Sequence, residues 1–179
     1  MIRVVLRRLY ESTIVLLCAA GLATVDCGSN SSPTSPSGSS GFGSPVVTAH
    51  GSLSATLDGV RWDAKAILTV IHKNGSITIT GSDVLIGNIT SVDLSFPDSV
   101  GNHPVASAGL SFATVTTSNP IAGGPVNSWS SAVGGSNGTI TVTSSTATGA
   151  AGTFQLNLPG FEKTPGTKVV TNGAFNVTY

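Results

Sequence analysis

From Val46 to Tyr179 the chain is written in short runs in which every second residue is apolar and the residues between carry hydroxyls. "SLSATLD" puts Leu53, Ala55 and Leu57 on one side, and "SITITG" does the same with Ile77 and Ile79. "VDLSF" offers Val92, Leu94 and Phe96, "GTITVT" offers Ile140 and Val142, and "GTFQLNL" offers Phe154, Leu156 and Leu158. The closing "GAFNVTY" offers Phe175, Val177 and Tyr179. A period of two cannot wrap a helix with one buried face, but it matches the pleat of a half-buried strand. The dipeptides Asp58-Gly59, Asn74-Gly75, Asn137-Gly138 and Asn172-Gly173 punctuate the runs and read as tight turns. "AILTVIHK", residues 66–73, is apolar on both faces and reads as a central strand. The pattern predicts an all-β fold for residues 46–179: an antiparallel β-sandwich or flattened barrel of about eight or nine strands.

The charge content excludes several functions. Charged residues make up 9% of the chain, against about 25% in ordinary soluble proteins. Formal net charge is zero, so there is no basic footprint for nucleic acid. Beyond Cys27 there is no cysteine, which removes disulfides, thiol nucleophiles and thiolate metal sites from the domain.

Residues 1–27 have a different character. Arg3, Arg7 and Arg8 precede the apolar run "IVLLCAAGLATV", residues 14–25. As a helix this run spans about 18 Å, short of the roughly 30 Å hydrocarbon core, so it reads as an export signal and not a membrane span. Cys27 follows, and then "GSNSSPTSPSGSSGFGSP" over residues 28–45, a Ser/Gly/Pro-rich tether that lacks the apolar surface to offset chain entropy. A flexible chain of that length has an r.m.s. span near 25 Å. This layout resembles a bacterial lipoprotein precursor, in which Cys27 would carry the lipid. The resemblance departs from the pattern at Asp26, where a small residue is the rule. The alternative is ordinary cleavage after "GLA", residues 21–23, or "CAA", residues 18–20, leaving a free Cys27. A lone cysteine directly ahead of a Ser-rich tether favours the lipid reading. The expected location is the cell envelope, lipid-anchored to the outer membrane, or otherwise periplasmic or secreted.

Within the domain the chemistry is sparse. His50, His72 and His103 have no ligand spacing between them, so no metal or other cofactor is expected. There is no Gly-x-Ser-x-Gly elbow for a nucleophile and no phosphate loop. Asp58 and Asp98 read as turn residues. Three residues stand out as ligand-binding candidates. Trp62 returns from the Asp58-Gly59 turn and reads first as a core plug. Asp63 beside it forms the one carboxylate–aromatic pair that suggests a sugar site. Trp129 sits in "SNPIAGGPVNSWSSAVGGSNG", the longest weakly patterned stretch, either as a stacking platform or folded back as a lid on the core.

Three stretches, "ATLDGVRWDA", "GTITVTSSTATGAAGTFQLNL" and "VTNGAFNVTY", carry a family resemblance. In their order the chain resembles the DUF6252-type proteins, uncharacterised bacterial envelope proteins of which many are lipoproteins. At "LSFPDSVGNHPV" it departs from them, with His103 and Pro104 at the step after the strand. The resemblance implies a small β-sandwich tethered in the envelope and transfers no catalytic residue. The expected function is a non-enzymatic display, adhesion or scaffolding module. Its expected partners are the membrane, through a lipid on Cys27, and an envelope protein or carbohydrate. The alternative is a carbohydrate-binding module using Trp62, Trp129 and amide-rich loops. Oligomeric state is not legible in the sequence.

Overall fold

The computed structural model describes residues 47–179, with side chains from Ala49 onward. The export signal, Cys27 and the tether lie outside the described residues. All regular structure among the described residues is strand. Twelve strands run β1 (Val47–Thr48), β2 (His50–Leu57), β3 (Val60–Asp63), β4 (Ile67–Lys73), β5 (Ser76–Leu85) and β6 (Asn88–Pro97), then β7 (Gly101–Pro104), β8 (Phe112–Ser118), β9 (Asn127–Ser130), β10 (Asn137–Thr146), β11 (Gly149–Pro159) and β12 (Thr167–Thr178). They form two six-stranded sheets, in the orders β1-β4-β5-β6-β8-β9 and β3-β2-β12-β11-β10-β7. All pairings between these strands are antiparallel. The sheets pack as an open sandwich, not a closed barrel.

The strand count exceeds the expected eight or nine because all four sheet edges are very short: β1 has two residues, and β9, β3 and β7 have four each. Such segments carry too little alternation to register in sequence, yet they keep long unpaired edges from meeting another chain. "AILTVIHK" is likewise not a central strand. It becomes β4, flanked on one side only by two-residue β1, and Ile67 and Ile71 on its outer face are exposed.

Asp58-Gly59 and Asn74-Gly75 make two-residue hairpin turns with positive φ at both positions. Ile86-Gly87 makes a third, with φ of 48° and 77°, joining β5 to β6. Asn137-Gly138 is not a turn but the start of β10. Nor is Asn172-Gly173. It is a bulge inside β12, where the pairing with β2 steps from Thr171↔Thr56 to Ala174↔Ser54. Asn172 takes φ 50° there. The extra residue reverses the face parity, so that Val170 before it and Phe175 and Val177 after it all point inward.

The core lies between the sheets. Phe96 of β6 meets Phe175 of β12 with ring centroids 5.2 Å apart, joining one sheet to the other. Within the second sheet, β11 and β12 carry a reciprocal motif: Gly152 is paired with Phe175, and Phe154 with Gly173. Each ring lies over the opposite glycine, filling the space a side chain would take. The outer face of the first sheet is laced by hydroxyls, with Thr78–Ser95 at 3.2 Å, Thr80–Asp93 at 2.7 Å and Ser82–Ser91 at 2.8 Å. Cross-strand hydrogen bonds of this kind stabilise a sheet without ion pairs.

Candidate functional site

The inward positions of a sandwich strand are ordinarily apolar along its whole length. Here they change character at one end. On β5 the buried sequence Ile77, Ile79, Gly81 continues in step as Asp83 and Leu85. On β6 Phe96, Leu94 and Val92 give way to Thr90 and Asn88. On β8 Val115 is followed by Thr117, and on β12 buried Val170 is preceded by Lys168. These side chains, with Leu57, Val60, Arg61 and Trp62 from β2 and β3, line a cavity of about 260 Å³. Its mouth is apolar, with Val60 70% and Leu85 68% exposed, and Ile86 beside them 91% exposed.

Of the three ligand-binding candidates, Trp62 lines this cavity, while Asp63 and Trp129 touch its lining through Arg61 and Lys168. Trp62 lines it directly and is 6% exposed, the core plug of the first reading. Its buried indole N–H has no hydrogen-bond partner among the described residues. Asp63, next to Trp62 in sequence, is paired with Arg61. It accepts two bonds from Arg61, Nε at 3.0 Å and Nη2 at 2.9 Å, and this pairing holds its carboxyl below the usual range. Trp129 is not in a loop. It lies on edge strand β9, paired with Val115, and its indole N–H donates to the Pro165 carbonyl at 3.3 Å. One ring face is taken by Lys168, whose Nζ is 4.0 Å from the ring centroid. The same ammonium donates to Asp58 Oδ2 at 2.6 Å. Burial pushes the Asp58 carboxyl up, but its bonds from Lys168 and the Val169 amide outweigh that and hold it below the usual value.

Asp83, Thr90, Thr117 and Lys168 escaped sequence reasoning. The available signal was a polar residue at a position in step with buried ones, as Asp83 is in "SITITGSDVL". The histidines cluster with nothing here. His72 lies 2.9 Å from Asp98 and His103 2.7 Å from the Ser99 carbonyl, both near the opposite end of the sandwich. Among the described residues no three His, Cys, Asp or Glu side chains converge.

A second hollow of about 510 Å³ lies on the outer face of β10, β11 and β12. Asn102, Thr139, Thr141, Thr153, Gln155 and Asn157 line it with amides and hydroxyls, and neither tryptophan reaches it.

A family model, described as a domain of unknown function, DUF6252, matches residues 49–177. No curated protein and no solved structure matches the chain.

Proposed function

Because the chain belongs to the DUF6252 family, a domain of unknown function, we propose a role from its layout: a non-enzymatic, exported envelope module, lipid-anchored at Cys27, that displays its sandwich to a partner. One observation carries this reading, and it lies in the sequence. The basic head, the apolar run and the Ser-rich tether after Cys27 support export and anchoring.

The test is the intact mass of the N-terminal peptide from native, membrane-extracted protein. A diacylglycerol-modified Cys27 is the expected result. An unmodified N-terminus at Thr24 or Gly21 overturns the anchor and leaves free export.

The amide- and hydroxyl-lined hollow on the second sheet favours a further reading, carbohydrate binding. It differs from the sequence expectation in using strand amides in place of exposed tryptophan. Oligosaccharide binding that Gln155→Ala abolishes would support it, and binding that survives this substitution would move the sugar elsewhere.

A further inference from the structure

Polar side chains at inward strand positions cost stability unless they find partners. Local violations of the fold's own pattern tend to mark functional sites. In this sandwich four of the violations lie together: Asp83, Thr90 and Thr117 on the neighbouring strands β5, β6 and β8, and Lys168 on β12 facing them across one cavity. The middle of the inner surface is apolar, and His72 and His103 stand among the inward positions at its other end.

The charges lining that cavity are unequally matched. Lys168 is neutralised by Asp58 at 2.6 Å, and Arg61 by Asp63 through two bonds. Asp83, half-buried, has no ion-pair partner among the described residues. The cavity therefore presents one unmatched carboxylate. Leu57, Val115, Leu85 and the Trp62 ring supply apolar wall around it, and the Trp62 N–H is sealed from solvent. An anion entering this space would meet the charge of Asp83, and the cations it could bind, Lys168 and Arg61, are already neutralised by Asp58 and Asp63.

We infer that the cavity binds a small cationic amphiphile. Its primary ammonium meets Asp83, and its short carbon chain lies against Leu57, Val115, Leu85 and the Trp62 ring. A cavity of about 260 Å³ sits just below the usual range for ligand pockets, so the occupant is a compact molecule. The apolar mouth, open to solvent at Val60 and Leu85, admits it from the end of the sandwich.

The full chain is titrated by calorimetry with three probes that share one carbon chain and one hydroxyl: 6-aminohexan-1-ol, hexane-1,6-diol and 6-hydroxyhexanoate. The amino alcohol is expected to bind about tenfold tighter than the diol, with the carboxylate weakest. Asp83→Asn is expected to bring the amino alcohol down to the affinity of the diol. Equal affinities for amino alcohol and diol in the wild-type protein overturn the proposal, as does failure of the amino alcohol to bind. Tightest binding of the carboxylate also overturns it, because Lys168 or Arg61 would then be the recognising group. The ranking in the wild-type protein is decisive even if the variant folds poorly.

Discussion

Gly173 and Gly152 offer the sharpest test of how the core is built. A Cβ added at Gly173 would stand 2.5 Å from Phe154 Cδ2 and 2.6 Å from both Cε2 and Cγ. Carbon atoms rest at about 3.5–4.0 Å, so the ring must move by roughly 1 Å in a packed interior. Phe154 is 1% exposed and packed in the core between the sheets. Overpacking of this kind costs about 1–3 kcal/mol, and expelling the ring altogether about 3–5. Gly173→Ala is therefore expected to destabilise by about 2–3 kcal/mol, a fall in Tm of roughly 8 °C for a domain of this size. Gly152→Ala is expected to cost more, because its Cβ would meet the Thr141 backbone carbonyl as well as Phe175 Cζ at 2.5 Å, and backbone yields less than a ring. Gly59→Ala is the control. It has positive φ but nothing within 4 Å, so it should cost only about 1 kcal/mol of backbone strain. Denaturant melts of the single variants and of Gly173→Ala with Phe154→Leu form a double-mutant cycle. The smaller leucine should recover part of the alanine penalty. Strict additivity, or a Gly173→Ala melt within about 0.5 kcal/mol of wild type, would show that the Phe-over-Gly pairing does not organise β11 and β12.

Two further predictions concern pH and turn strain. Burial raises the Asp93 carboxyl above its ordinary 3.8, offset in part by the bond from Thr80. A raised acid favours the fold while protonated, so this contribution is full below pH 3.8 and is lost as pH climbs through the folded value. Asp93→Asn should thus flatten Tm against pH in the window upward from 3.8 and raise Tm at pH 7; an unchanged slope would remove Asp93 from the account. Ile86 holds φ 48° while 91% exposed, a costly conformation for a β-branched residue. Ile86→Asn should relieve about 1 kcal/mol and lift Tm by roughly 3 °C, whereas a lower Tm would mean that the isoleucine side chain contributes packing at the cavity mouth.

By itself the sequence determined the class of fold and most of its core. Period-two runs fixed which faces of β2, β5, β6, β10 and β11 turn inward, because side-chain direction along a strand is a local property. Asp58-Gly59 and Asn74-Gly75 announced their hairpins because positive φ at both positions is local chemistry too. Everything that depended on pairing was decided by the tertiary structure. Asn172-Gly173 has the same local signature as a turn, but β2 and β11 continue on either side of it, so the chain accommodates the positive φ of Asn172 in a bulge. "AILTVIHK" looked central because apolarity reports hydrophobic content and not the length of the neighbouring strand. Trp129 became an edge-strand residue through its pairing with Val115 and its bond to Pro165, contacts its own segment does not encode. The candidate site shows the same division. Trp62 and Asp63 stood out as residue types, but the unmatched Asp83 and the Lys168 that links Asp58 to Trp129 emerge only when strands 110 positions apart in sequence close one cavity. Period and turn chemistry act between neighbours in the chain, whereas a cavity and its charge balance arise from neighbours in space.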